Sequence, residues 1–237
     1  MNRPEFDSYS PGYEELLKDP IRDCFTGQQS AFFHERKRDL IREYFRRRKV
    51  NTRSLRYLDV GCGKGELVSL LREDFGYLAG CDPSSGMLES ASGFDTREQT
   101  DPDRIPFETE TFDFVTAVCV YHHVPLASRL SLTREIWRVI KPGGVFAILE
   151  HNPHNPITRL IVGRTPVDAD AILLRSAEAR ECMRQTSFMP ESLQYFLYFP
   201  EFLYRRGGRW VEAALAKFPF GGQYAVFATK GEMDSTT

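Results

Sequence analysis

The chain has 237 residues, 41% of them hydrophobic and 27% charged, with a net charge of −2. These are ordinary globular values, and the length suits one α/β domain with a sizeable buried core. They exclude a general electrostatic drive toward nucleic acid or acidic lipid, and no run approaches the ~20 apolar residues of a transmembrane segment.

The N-terminal MNRPEFDSYS lacks the apolar core of a signal peptide. Residues 1–53 read as a polar, aromatic-dotted helical extension, with one helix near 13–25 and another over 29–48, where Phe33, Leu40, Ile41 and Phe45 recur near helical spacing. The second helix carries the basic stretch 34–53. Its interleaved acids, Glu35, Asp39 and Glu43, read as helix-spaced partners on a solvated face, whereas Arg46, Arg47, Arg48 and Lys49 are less compensated.

Residues 54–230 read as the main domain. An apolar strand at 55–60 ends in Asp59 and runs into Gly61, Gly63 and Gly65, which lead to a helix at 64–74. Glycine lets the backbone turn at the strand end and approach a ligand closely, and the loop presents backbone N–H groups and a helix start to it. Alone, such a loop is also a plain strand-to-helix turn. A second strand at 77–82 ends in Asp82, about 20 residues after the first glycine, where a ribose-binding carboxylate belongs in a βαβ unit. The dinucleotide fingerprint G-x-G-x-x-G fails because Glu66 stands at its last glycine position. The loop therefore suits a cofactor with a nucleoside and no diphosphate.

Further elements follow as a helix at 85–92, a strand at 112–119, a helix at 127–140 and a strand at 144–150. Pro142, Gly143 and Gly144 are expected to stop that helix and turn the chain into its strand. Residues 151–222 read as substrate-side loops and an insertion, with a helix near 168–185, an aromatic strand near 193–199 and a short helix at 208–217. A last strand spans 223–229, and 231–237 read as a disordered tail. The five cysteines (Cys24, Cys62, Cys81, Cys119 and Cys182) are odd in number and scattered, so neither a disulfide framework nor a zinc site is indicated, no metal is expected, and a reducing cytoplasm is the expected compartment.

With these pieces in order, the chain resembles the class I S-adenosylmethionine-dependent methyltransferases. LDVGCGKGEL (58–67) carries the glycine loop and DPSSGML (82–88) the ribose and adenine strip. DPDRIPFETETFDFV (101–115) matches "D-x-x-x-L-P-F … F-D-x-V", VYHHV (120–124) the end of the fourth strand, and IWRVIKPGGVFAI (136–148) "R-x-L-K-P-G-G". The resemblance implies a doubly wound, Rossmann-like sheet of mostly parallel strands with an antiparallel last strand, in a three-layer αβα sandwich with a helical N-terminal lid. It also implies S-adenosylmethionine as cofactor and S-adenosylhomocysteine as product. By the same resemblance, Asp59 orients the loop and meets the methionine amino group, and Gly61, Cys62 and Gly63 give close backbone. Asp82 takes the ribose hydroxyls, Pro83 and Met87 pack on ribose or adenine, and Asp101 with Pro102 meets the adenine edge. Cys119 lies at the cofactor end of the fourth strand.

For catalysis, His122 and His123 stand at the carboxyl edge of the sheet, where such sheets place ligands, and an imidazole there can take a proton from a hydroxyl or amine. Either histidine is equally suited to bracing a loop. Glu150, His151 and Asn152 are candidates to orient a substrate. FDSYSPGYEELL resembles the "F-D-x-Y-A-x-x-Y-D" lid of small-molecule, lipid and quinone methyltransferases, which makes Tyr9 and Tyr13 lid candidates. The expected acceptor is a small molecule bearing an O or N nucleophile, such as a sugar or secondary metabolite, with no nucleic acid as partner. An RNA or protein methyltransferase and a non-catalytic cofactor-binding regulator stay open as alternatives.

Overall fold

The computed structural model describes residues 5–26 and 31–231, so residues 232–237 of the expected tail lie outside the described residues. Four N-terminal helices, α1 (Glu5–Tyr9), α2 (Tyr13–Leu16), α3 (Pro20–Thr26) and α4 (Ala31–Arg47), precede β1 (Arg56–Val60). Then come α5 (Glu66–Leu70), β2 (Tyr77–Asp82), α6 (Ser85–Leu88), β3 (Asp95–Glu98), β4 (Phe112–Val118), α7 (Arg129–Val139) and β5 (Ile140–His151). The chain closes with α8 (Pro156–Val162), α9 (Ser176–Gln185), β6 (Phe188–Phe196), α10 (Glu201–Leu203), α11 (Arg209–Leu215) and β7 (Gln223–Lys230).

The strands form one seven-stranded sheet in the order β3-β2-β1-β4-β5-β7-β6. The pairs β1–β2, β1–β4, β2–β3 and β4–β5 are parallel, and β7 runs antiparallel between β5 and β6. Both faces are covered. Tyr57, Phe114 and Phe227 pack with α4 and α5 on one face, while Leu58, Val115, Phe146 and Val226 pack with α7 and α9 on the other. This is why the central strands read as nearly continuous apolar runs.

Several boundaries differ from the sequence reading. The 13–25 helix is split by Asp19, whose Oδ1 accepts from the N–H groups of Ile21 and Arg22 and so starts α3. The 168–185 helix begins only at Ser176, the sixth strand lies at Phe188–Phe196, and β3 was not anticipated because DTRE has no apolar alternation. Pro142 to Gly144 form an irregularity inside β5: Ile140 already pairs with Phe112, and the register shifts before Val145 meets Phe114.

The basic helix is not simply a solvated face. Its buried stripe runs Phe32, Arg36, Lys37, Leu40, Ile41, Tyr44 and Phe45, so two cations occupy core-facing positions. Arg36 pairs with Glu212 of α11 and stacks over the Tyr204 ring at 4.1 Å. Of the group that looked uncompensated, Arg46 and Arg47 both bind Glu43 at 2.7 Å, and Arg48 pairs with Glu191. The insertion 200–222 thus packs against α4.

Candidate active site

Gly61, Gly63 and Gly65 all have positive φ, +70°, +53° and +76°. This region is strained for other residues, which explains the alternation of glycines. The loop folds back on β2: the N–H groups of Gly61 and Cys62 both donate to the Cys81 carbonyl, at 2.8 and 3.0 Å. A Cβ on Gly61 would stand 2.5 Å from Val120 Cγ2, whereas one on Gly63 would meet no atom of the described residues within 4 Å. Gly63 therefore faces open space, as a cradle for a ligand requires.

That space is a cavity of about 670 Å³ along the carboxyl ends of β1, β2, β4 and β5. Asp59, Gly61, Cys62, Gly63, Asp82, Pro83, Met87, Pro102 and Cys119 line one part of it. Asp82 Oδ2 accepts from the Gly63 N–H and Oδ1 from the Ser84 N–H, both at 2.9 Å, which leaves further lone pairs on each oxygen. Burial raises its carboxyl above the usual range. Burial likewise pushes Asp59 up to about 7, against the Thr116 hydroxyl that donates to it at 2.6 Å and the positive charge of Lys37.

Asp101 is placed differently. Its side chain is exposed, does not line the cavity, and accepts the Asp103 N–H at 2.9 Å as the start of a tight turn. Gln99, Pro102 and Asp103 are the residues of this segment that reach the cavity.

Much of the remaining lining is apolar. The N-terminal helices contribute Tyr13, Leu17, Phe25 and Phe33, and the segment after β5 contributes Ile157, Ile161, Val162 and Val167. Tyr13 lies in the wall with its hydroxyl pKa raised by burial and by Asp168, while Tyr9 is half-buried and does not line the cavity. No residue from 198 to 221 lines it, so of the insertion 200–222 only Gly222 meets the cavity and the rest lies over the α4 face.

Polar groups gather between these two regions. His122 is buried with both ring nitrogens facing carboxylates: Nδ1 is 2.6 Å from Glu150 Oε2, and Nε2 is 3.5 Å from Asp168 Oδ1. Burial opposes its charge, but Glu150 and Asp168 raise it well above the ordinary histidine value. His123 Nε2 lies 3.4 Å from the same Asp168 oxygen, and burial with the neighbouring His122 holds this ring down to about 4. His151 lines the cavity, its ring centroid 5.1 Å from that of His122.

Glu150 and Asn152 do not line the cavity. Glu150 is fully buried and accepts from the Tyr121 N–H and His122, and Asn152 Nδ2 donates to the carbonyls of Pro219 and Gly221. Both brace the ends of β5 and β7.

Residues that the sequence reading missed complete the cavity. Lys37, buried, points its Nζ 3.7 Å from Cys119 Sγ. Burial works against a Cys119 thiolate, yet Lys37 and His151 bring the thiol down to about 7. Burial and Lys37 hold His34, another lining residue, down to about 3. Arg22 also lines the cavity, and Asp168 arrives from 46 positions beyond His122. Nothing local marks either position: Lys37 sits within a run of surface-like charges, and Asp168 ends the short 3-10 turn Pro166–Asp168.

The fit to S-adenosylmethionine follows from this donor set. Asp82 offers carboxylate acceptors to a diol, Met87, Pro83 and Pro102 offer apolar surface to a base, and Gly63 leaves room for a ligand against the loop. Asp59 and Lys37 supply opposite charges suited to the amino and carboxylate groups of an amino acid.

Residues 58–148 match the family model described as a methyltransferase domain. The chain is 30% identical over 155 residues to the 2-phytyl-1,4-naphtoquinone methyltransferase of Synechococcus elongatus, covering 60% of this chain and 64% of that protein. It is 29% identical over 150 residues to the sterol 24-C-methyltransferase of Schizosaccharomyces pombe, covering 56% of this chain and 39% of that protein. The chain thus spans less than two thirds of the length of these curated relatives. Among solved structures, a SAM dependent methyltransferase from Archaeoglobus fulgidus superposes with a TM-score of 0.60 at 19% identity, over 85% of this chain and all of that one. Residues 58–148 are thus a methyltransferase domain, and the fold that carries them is the one shared with S-adenosylmethionine-dependent methyltransferases of known structure.

Proposed function

We propose that this protein transfers a methyl group from S-adenosylmethionine to an oxygen or nitrogen of a small, largely apolar acceptor. The carrying observation is one cavity lined by the glycine loop, Asp59 and Asp82 together with many apolar side chains and with His122, His123 and Asp168. When bound, the cofactor supplies an electrophilic methyl on a sulfonium. The chain's own work is alignment: fixing two partners in one orientation supplies roughly 7–11 kcal/mol of barrier reduction.

Asp82 holds the ribose, Asp59 the amino group and Lys37 the carboxylate. Leu17, Phe25, Phe33 and Ile161 exclude water from the acceptor. Such apolar lining favours a ring or chain bearing few polar groups over a sugar. The names of the quinone and sterol methyltransferases that the chain resembles support an apolar acceptor, although the sterol enzyme's name places its methyl on carbon. Of the two histidines, His123 is the better placed to take a proton from the acceptor, because its side chain is 26% exposed against 1% for His122.

The ion pairs of Arg36, Arg46, Arg47 and Arg48 with Glu212, Glu43 and Glu191 leave the basic stretch less charged than its sequence suggests, which favours a small acceptor over RNA. The test is mass spectrometry of ligand co-purified with the protein, then a screen of hydroxylated quinols, phenols, apolar amines and sugars for conversion of S-adenosylmethionine to S-adenosylhomocysteine. Turnover with an apolar phenol, quinol or amine is expected. Turnover with sugars alone, or none while the cofactor binds, would overturn the proposal.

A further inference from the structure

We propose that His122 Nε2, His123 Nε2 and Asp168 Oδ1 form a binding site for a divalent transition-metal ion, with an open coordination position toward the acceptor end of the cavity. One ligand atom from each of these residues lies within 4.8 Å of the others. The Asp168 oxygen is 3.5 Å from His122 Nε2 and 3.4 Å from His123 Nε2. Both separations exceed the 2.7–3.2 Å of a good N–H···O hydrogen bond. They match ligands around a tetrahedral ion at about 2.0–2.1 Å, which stand about 3.3 Å apart.

The surroundings prepare the cluster. Glu150 Oε2 faces His122 Nδ1 at 2.6 Å and Glu150 Oε1 accepts the Tyr121 N–H at 2.7 Å, so a fixed carboxylate orients the ring from behind. With the Nδ1 proton donated to that carboxylate, the Nε2 lone pair points to the ion, as in carboxylate–histidine–metal arrangements. The loop that brings Asp168 is pinned to the same place: the Ile172 N–H donates to the His122 carbonyl at 2.8 Å, and the Asp168 N–H to that of Thr165 at 3.0 Å. All three ligand residues line the cavity, so a further position on the ion is open to a water or an acceptor oxygen.

Two imidazoles and one carboxylate favour zinc, cobalt or iron(II) over magnesium or calcium, which prefer oxygen alone. Such an ion would hold an acceptor hydroxyl and favour its ionised form, in place of proton transfer to His123. Only that last role rests on the proposed methyl transfer; metal binding does not.

The test titrates the full chain, stripped with chelator, with Co²⁺ and Zn²⁺ alone, in a Cys24→Ser background that removes the exposed thiol. Calorimetry is expected to show one equivalent bound, and visible absorption the d–d bands of tetrahedral cobalt without a thiolate charge-transfer band. His123→Ala and Asp168→Ala are expected to weaken binding by ~100-fold or more, and Glu150→Gln by about 10- to 100-fold. Thermal melts report whether each variant is folded, and the wild-type cobalt spectrum needs no variant. Absence of stoichiometric binding, binding indifferent to His123→Ala and Asp168→Ala, or a sulfur-to-cobalt band would each overturn the site. Neither cofactor nor acceptor is present, so the result is independent of whether the methyltransferase proposal stands.

Discussion

The Asp7 carboxylate accepts hydrogen bonds from the Ser84 hydroxyl at 2.5 Å and the Gly86 N–H at 3.2 Å, so one side chain of α1 fastens the N-terminal helices to the turn that follows Asp82. The Ser10 hydroxyl adds a bond to the Gly86 carbonyl at 2.7 Å. The same Ser84 oxygen accepts the Met87 N–H and starts α6. A second fastening, Arg164 to Asp19 at 2.8 Å, ties α3 to the loop after α8. The helices that read as a lid are therefore held at both the cofactor side and the acceptor side of the cavity.

Asp7→Ala should release the first of these fastenings without touching the glycine loop. Losing a hydrogen-bonded carboxylate is worth roughly 1.5–3 kcal/mol, so S-adenosylhomocysteine affinity should fall about 10-fold or more, mainly through faster dissociation. Calorimetry and stopped-flow release measure this. An unchanged dissociation rate would show that the lid does not gate the cofactor.

Asp82→Ala should weaken cofactor binding by about 10- to 150-fold, since it removes charge-assisted bonds to the ribose worth roughly 1.5–3 kcal/mol. It also strips the acceptors of the Gly63 and Ser84 N–H groups, so Asp82→Asn is the necessary comparison. Wild-type affinity in both variants would dismiss the ribose assignment.

Gly61→Ala and Gly63→Ala should separate stability from binding. At Gly61 the new methyl would stand 2.5 Å from Val120 at φ +70°, and thermal melts should show a clear loss of stability. At Gly63 it meets no atom of the described residues within 4 Å, so a smaller loss from the strained φ should accompany a large loss of cofactor affinity. Equal destabilisation with retained binding at Gly63 would mean that the cradle lies elsewhere.

Asp59 gives the cavity a pH dependence. An aspartate in the unfolded chain titrates near 4, whereas burial holds Asp59 at about 7. Between these values the unfolded chain has lost a proton that the folded chain keeps, so this group's contribution to stability falls as pH rises from about 4 to about 7, then levels off. A cationic amino group beside it favours the ionised form. Cofactor binding should therefore release a proton below pH 7, with affinity rising toward neutrality. Calorimetry in buffers of different ionisation enthalpy measures the proton, and Asp59→Asn should abolish its release.

The Arg36–Glu212 pair is buried on both sides. Glu212→Ala leaves the Arg36 charge buried and should destabilise the fold by about 3–5 kcal/mol, read from urea unfolding. Arg36→Met with Glu212→Leu removes both charges and should recover much of that loss.

What the sequence by itself determined was local or periodic: the glycine alternation, the acids closing β1 and β2, the apolar strands and the amphipathic α4. These follow from backbone sterics and from burial of one face or two, which neighbouring residues suffice to express. The tertiary structure alone decided which charges are internal. Lys37 and Arg36 look like their neighbours Arg38 and Arg42, yet the helix turns the first two inward, Lys37 to Cys119 and Arg36 to Glu212. Asp101 fitted a motif and remained a turn residue at the surface, while Asp168, which fitted none, was carried by a loop to the two histidines. Glu150 and His122 face each other because β4 and β5 end side by side, a register set by backbone hydrogen bonds along the whole pair of strands and not by either residue. Patterns of sequence report the environment of a residue along its own element; the chemistry of a cavity depends on distances between elements, which only packing fixes.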